Sequence, residues 1–280
     1  MHTQPTSHQA LLIGHASNDL TPLGPRLGGT VSFAGLTLNA LGCRVRIVTS
    51  AGPELDLAPL RGIELECTPA PKSTTFVNRY TGEGRLQTVV GRANPLELQH
   101  VPDTWRQCEI LLLGPIASEV EPGMAAGVEH RLLGVTAQGW LRRINGNGQV
   151  RLQDWQILQR LLPAASVVIL SAEDLQGDLE AGDQISSWCR ILALTMGAAG
   201  ARIYWQDRCE QLPAPAVEEI DPTGAGDIFA ATFLYRLMLG DEPALAADWA
   251  NRVASASVLR PGLEGVPKTA DLRSLGVIEH

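Results

Sequence analysis

A series of short apolar runs, many ending in glycine or a small polar residue, constrains this chain more than any other feature. They are Ala10–Gly14, Val45–Ser50, Ile110–Gly114, Leu132–Ala137, Val167–Leu170 and Ile191–Thr195. Unbroken apolar stretches of this length fit strands covered on both faces, as in a parallel sheet. Helical spacing lies between several of them: Val31, Ala34, Leu38 and Leu41 repeat at three and four, as do Leu152, Trp155, Leu158, Leu161 and Leu162. Strand–helix alternation predicts an α/β layered domain. With 45% hydrophobic and 19% charged residues over 280 positions, the chain can bury an extensive core.

Two regions break the rhythm. Thr74–Tyr80 and Arg85–Val90 are β-prone and of mixed polarity, joined by Thr81-Gly82-Glu83-Gly84. They read as a hairpin in a small sheet with one solvated face, a flap outside the main core. Thr21–Gly29, rich in Pro and Gly, supplies a second candidate lid segment. The lid segments expected within one domain of residues 1–280 are therefore about 17–29 and 72–93.

Charge excludes some partners. The net charge is −8, and lysine occurs only at Lys72 and Lys268, so a nucleic-acid backbone would find no clustered cations. Any phosphate must be held by backbone dipoles, arginine or metal. The five cysteines fall outside CxxC spacing and read as reduced thiols. The polar start, Met1–Gln9, lacks the apolar stretch of a secretory signal, and no run approaches the roughly 18–20 apolar residues of a membrane span. A cytoplasmic location is expected, with no membrane partner and with monomer and homodimer both open.

The chemistry concentrates in Asp221-Pro222-Thr223-Gly224-Ala225-Gly226-Asp227, followed by an apolar stretch that reads as a buried helix ending near Gly240. The turn presents the backbone N–H groups of Gly224, Ala225 and Gly226 at a helix N-terminus, where they and the helix dipole attract an anion. Glycine removes the Cβ that would hold a phosphate away. Asp227 beside such an anion hole can accept a proton from a hydroxyl while the hole stabilises a transferring phosphoryl group.

This stretch resembles the signature of the ribokinase-like (PfkB) carbohydrate kinases. Other segments resemble that family in its own order: Leu11–Gly14 followed by Asn18-Asp19, the diglycine Gly28-Gly29, Thr195-Met196-Gly197-Ala198-Ala199-Gly200, and Asn251 within Ala250–Ala254. The resemblance implies a three-layer α/β/α sandwich with a mostly parallel sheet and a small β lid. It implies an ATP-dependent phosphotransferase acting on the hydroxyl of a small sugar or polyol, with Asp227 as base. It places Thr195, Gly197, Gly200, Asn251 and Ser171 at the nucleotide, and Asp19, Gly28, Gly29, Gln138 and Arg142 at the acceptor. Asp174 would face Mg²⁺ through water, and Asp221 and Thr223 would match a monovalent-cation site, with K⁺ the candidate.

The sequence also departs from the family pattern. The N-x-x-E preceding the nucleotide site in many sugar kinases is here Ser171-Ala172-Glu173-Asp174, with shorter reach. The G-G-x-x-x-N motif becomes Gly28-Gly29-Thr30-Val31-Ser32-Phe33, and D-P-N-x-R becomes Gln138-Gly139-Trp140-Leu141-Arg142. These changes resemble the myo-inositol kinase branch, and Asp19 suits a polyol because one carboxylate accepts from two vicinal hydroxyls. Ribose, fructose and nucleoside acceptors remain alternatives, as does an inactive kinase-fold binding module. A dinucleotide-dependent oxidoreductase would need G-x-G-x-x-G after the first strand, and a P-loop enzyme G-x-x-x-x-G-K-[ST]; neither occurs.

Overall fold

The computed structural model describes residues 8–81, 84–162 and 166–278. In chain order the first elements are β1 (Gln9–Ile13), β2 (Ser17–Thr21), β3 (Gly24–Gly28), α1 (Thr30–Ala40), β4 (Arg44–Ala51) and β5 (Glu64–Pro69). Next come β6 (Thr74–Thr81), β7 (Gly84–Gly91), β8 (Gln107–Leu113), β9 (Glu129–Thr136), β10 (Arg142–Ile144) and β11 (Val150–Leu152). Then follow α2 (Leu158–Leu161), β12 (Val167–Ser171), α3 (Ala181–Ser186), β13 (Ile191–Thr195), β14 (Ala201–Trp205) and β15 (Arg208–Leu212). The chain closes with α4 (Ala225–Leu239), α5 (Pro243–Ser257) and α6 (Thr269–Ser274).

The main sheet has nine strands in the order β15-β14-β13-β12-β9-β8-β1-β4-β5. From β13 to β5 every pairing is parallel, and β14 and β15 add an antiparallel edge. All the apolar runs singled out in the sequence lie in the parallel part. Residues of alternating parity serve its two faces. Leu12, Ile110, Leu112 and Ile169 pack with Phe33, Phe229 and Phe233 on one side, and Leu11, Leu111, Val135 and Val168 pack with Trp140 and Leu158 on the other. Both faces are covered, so the runs show no polar alternation.

A second sheet of four strands, β3-β2-β6-β7, carries the hairpin expected at 74–90. The Pro/Gly-rich segment forms the β3 strand, antiparallel to β2. The hairpin tip at Gly82-Glu83 and most of the polar N-terminus fall outside the described residues. The helical spacing over 152–162 gives only a short α2: Leu152 lies in β11, and the Asp154 side chain caps a single tight turn at Trp155–Ile157. Among the described residues, no helix is long and apolar enough to cross a membrane.

Candidate active site

Ligands of open α/β sheets bind beyond the carboxyl ends of the strands, where neighbouring connections diverge. Here β1 runs into Ser17 and Asp19, β8 into Ile116, β9 into Gln138, β12 into Ser171 and β13 into Thr195. All of these residues line cavities at that end, and two helix N-termini point there as well. α1 begins after Gly29, whose φ of 89° is the left-handed region that favours glycine. α4 begins after Gly224, with φ 81°. Phe33 of α1 stands where a side chain at Gly224 would be, locking the two helix starts together.

Three cavities meet at this point. The first, about 200 Å³, is lined by Ser17, Asp19, Phe76, Gln87, Gln138 and Arg142 together with Thr30, Phe33, Gly226 and Asp227. The second, about 270 Å³ and largely apolar, is walled by Val217, Phe229, Ala254 and Val258 and edged by Thr195, Gly197, Gly200 and Asn251. A small chamber of about 70 Å³ lies between them, bounded by Thr136, Ser171, Asp174 and Asp227. Gly226 borders all three. A Cβ on Gly226 would meet no protein atom within 4 Å, and its φ is ordinary. The protein's own packing does not require glycine here; a ligand approaching the backbone would.

Asp227 keeps a face toward the cleft, yet protein crowds its carboxyl group. Burial pushes its pKa up to about 6; the Thr30 hydroxyl bond and the positive charge of Arg142 pull it down, and the charges of Asp19 and Asp174 raise it. A carboxylate so poised is a stronger base than a surface aspartate and remains ionised at neutral pH.

The anion hole needs one correction. The Ala225 N–H donates to Pro222 O at 3.1 Å, so it closes the turn instead of facing a ligand. The first helical bond is Ile228 N–H to Gly224 O, which leaves the amides of Gly224, Gly226 and Asp227 without a recorded acceptor among the described residues.

The acceptor-side residues gather around the first cavity. Ser17 Oγ–H donates to Asp19 Oδ1 at 3.0 Å. Gly28 does not line that cavity; a side chain there would collide with the Asp19 carboxylate, so this glycine makes room for it. Arg142 donates to Ile116 O at 3.1 Å and lies 5.6 Å from the Phe76 ring centre. Gln87 Nε2–H donates to Asn78 Oδ1 at 3.0 Å, which fixes its amide. Sequence reading missed Ser17, Thr30, Phe76, Gln87, Ile116 and Thr136. Phe33 stood out only as the replacement of an expected amide.

On the other side, Asn251 is buried and its Nδ2 donates to Leu212 O at 3.1 Å and Pro213 O at 3.4 Å. Its donor capacity therefore shapes the 213–217 wall, and only its carbonyl oxygen remains for a ligand. Gly200, at φ 90°, abuts Leu212 O, so packing as well as conformation requires glycine. The Thr195 hydroxyl donates to Leu170 O at 3.2 Å.

Ser171 belongs to the small chamber, not to the apolar cavity. Its N–H donates to Asp174 Oδ2 at 2.9 Å, and the Asp174 N–H donates to Ser171 Oγ at 3.1 Å. The Thr136 hydroxyl is buried there without a partner. Hard oxygen donors around a small polar chamber fit a hydrated Mg²⁺, and no cluster of three or more His, Cys, Asp or Glu among the described residues would compete for a dehydrated ion. Asp221, expected with Thr223 at a monovalent cation, already has partners within the protein. Asp221 accepts from Thr223 N–H at 3.0 Å and Gly262 N–H at 2.9 Å, and Arg26 stands 4.0 Å away as its counter-charge. Burial alone would raise the Asp221 carboxyl, but those bonds and Arg26 outweigh it and hold it below the usual range.

A carboxylate between a polar and an apolar cavity, with bare amides beside it, is the arrangement of a phosphoryl-transfer site. Residues 136–269, which include Thr195, Gly226, Asp227 and Asn251, match the family model described as pfkB family carbohydrate kinase. Over that stretch the chain is similar to the PfkB carbohydrate kinases. Among curated relatives, an inositol 3-kinase of Oryza sativa subsp. japonica is 28% identical over 283 residues, covering 91% of this chain and 69% of that protein. A fructokinase of Rhizobium leguminosarum bv. trifolii is 26% identical, covering 81% of this chain and 71% of that protein. A pyrophosphate-dependent kinase in the ribokinase family, solved with a pyrophosphate analog and myo-inositol, has a TM-score of 0.78 at 20% identity, covering 95% of this chain and 99% of that chain. A ribokinase from Thermotoga maritima gives 0.71 at 16%, covering 96% and 99%. At these identities the structural likeness establishes the ribokinase fold.

Proposed function

We propose that this protein transfers the γ-phosphoryl group of ATP to a hydroxyl of a cyclic polyol of the inositol type, with Asp227 as the base. One observation carries the reading: Asp227 lines a polar, hydroxyl-matching cavity, and its neighbour Gly226 borders both that cavity and an apolar one of purine dimensions.

The acceptor lies in the polar cavity. Asp19, Gln87, Gln138 and Arg142 offer the few placed polar groups that orient a small ligand, while Phe33 and Phe76 cover its C–H faces. The Asp227 carboxylate, steadied by the Thr30 hydroxyl, accepts the proton of the attacking hydroxyl. The amides of Gly224 and Gly226 and the dipole of α4 stabilise charge on the phosphoryl oxygens. Asp174, Ser171 and Thr136 would hold the water shell of Mg²⁺, which supplies charge neutralisation to the triphosphate when bound. The segments at 17–29 and 72–93 form the lid of a single domain and exclude water from the cleft. Five unbridged cysteines suit a cytoplasmic enzyme.

The test is a phosphotransfer screen of ATP and pyrophosphate against inositols, pentoses, hexoses and nucleosides, with the product position read by NMR. Turnover of an inositol with ATP supports the reading. Turnover only with pyrophosphate refutes the donor assignment, and turnover only with ribose or fructose refutes the acceptor assignment. No turnover with any pair refutes catalysis.

A further inference from the structure

The chemistry above does not use His15, a fully buried histidine just beyond β1. Its Nε2 lies 2.8 Å from Asn94 O and its Nδ1 2.7 Å from Thr74 Oγ1. A carbonyl oxygen only accepts, so Nε2 carries a proton, and in the neutral ring Nδ1 is then the acceptor. The Thr74 hydroxyl therefore donates to Nδ1, and it accepts from Ala93 N–H at 3.1 Å. Every donor in this small network has an acceptor.

Its position is what gives it consequence. Thr74 is the first residue of β6 and Asn94 follows the end of β7, so one imidazole ring holds both feet of the hairpin. The loop that bears the ring is itself clamped. His15 N–H donates to Glu119 Oε1 at 3.0 Å, and Ala16 N–H donates to Thr49 Oγ1 at 2.8 Å. The Glu119 carboxylate, 2% exposed, also accepts from the amides of Ile116 and Ala117.

Strand β2 pairs in parallel with β6, matching Ser17 with Thr74 and Asp19 with Phe76. Asp19 and Phe76 are two walls of the acceptor cavity. A shift of one residue would turn Phe76 to the opposite face, and strands of mixed polarity specify their own register weakly. The irregularity between Thr75 and Phe76 in the β6–β7 pairing leaves that register still less constrained by the ladder.

We propose that His15 is a positioning residue for the acceptor: through Thr74 and Asn94 it fixes the register of β6 on β2 and so sets Asp19 opposite Phe76. This rests on the reading of that cavity as the acceptor site. The test compares wild type with Thr74→Val, which keeps shape but removes the hydroxyl, and with Thr74→Ser, which keeps the hydroxyl. Two readouts are needed: hydrogen exchange of the ligand-free protein, and the separate KM values of the polyol and ATP.

Thr74→Val should speed exchange across residues 74–93 alone and raise the polyol KM about tenfold with the ATP KM unchanged. Thr74→Ser should restore both. Unchanged exchange in that segment, or a loss shared equally by both substrates, overturns the proposal. If Thr74→Val does not fold, His15→Gln, which retains a donor toward Asn94, is put through the same measurements and judged by the same outcomes. Should wild type phosphorylate no polyol, the acceptor reading fails on its own, while the exchange data still judge the pin.

Discussion

The two large cavities are built differently. The apolar cavity, the proposed donor site, comes from neighbouring stretches: the hairpin from β13 to β14, the 213–217 loop, and the facing surfaces of α4 and α5. The acceptor cavity draws on both sheets. Ser17, Asp19, Phe76 and Gln87 come from the four-stranded one, and Gln138, Arg142, Thr30 and Asp227 come from around the ends of the large one. A purine needs a flat apolar slot and a few backbone-like contacts, which local turns can provide. A polyol needs hydroxyl partners on several sides, which only distant segments can bring together.

Asp227 lines the polar cavity and the small chamber and is the proposed base, so its replacement should cost most. Asp227→Asn should lower kcat by roughly 10²–10⁴ while both substrates still bind, as checked by steady-state kinetics and calorimetric titration. Next, Gly226→Val should cut kcat/KM for both substrates by about 10²–10³ without unfolding the protein, because its side chain points into space a phosphate would occupy. Loss confined to one substrate would show that Gly226 belongs to one cavity only.

Two variants should separate the cavities. Asp19→Ala should raise the polyol KM about 10- to 100-fold and leave the ATP KM unchanged. Asn251→Leu removes the donors to the Leu212 and Pro213 carbonyls and should raise the ATP KM about tenfold with the polyol KM unchanged. Crossed effects would mean the cavities are coupled.

The smallest effects come from pH. The base must be ionised, so kcat/KM should fall about tenfold per unit below about 6. The folded carboxyl titrates above its ordinary value of 3.8, so its ionisation costs stability above about pH 6 and nothing below both values. Asp227→Asn should therefore stabilise the protein by of order 1–3 kcal/mol at pH 8 and not at pH 3.5, as read by urea unfolding.

Where a function resides in consecutive residues, it can be read directly from the chain. The apolar runs gave the parallel sheet because a strand covered on both faces has no polar positions to show. The turn at 221–227 gave the anion site because glycine spacing and the helix that follows are local. The same locality misleads where packing intervenes. The spacing over 152–162 suggested a helix, yet Leu152 pairs with Arg142 in a two-stranded ribbon. Ala225 belonged to the motif, but its amide is consumed by the turn itself. Asp221 stands in the motif, but only the fold brings Arg26, 195 positions away in the chain, to 4.0 Å from it.

The sequence alone determined the sheet and the glycine turn at the start of α4, since each follows from periodicity or glycine placement within one short segment. Tertiary structure alone decided the acceptor side: that Phe76 and Gln87 face Asp19, that Thr30 steadies Asp227, and that His15 ties the hairpin down. Those contacts join residues 57 to 197 positions apart, and no pattern along the chain encodes which distant hydroxyl or ring will meet a given carboxylate. Packing of the two sheets makes that choice, because burial leaves each polar group one arrangement in which its hydrogen bonds are satisfied.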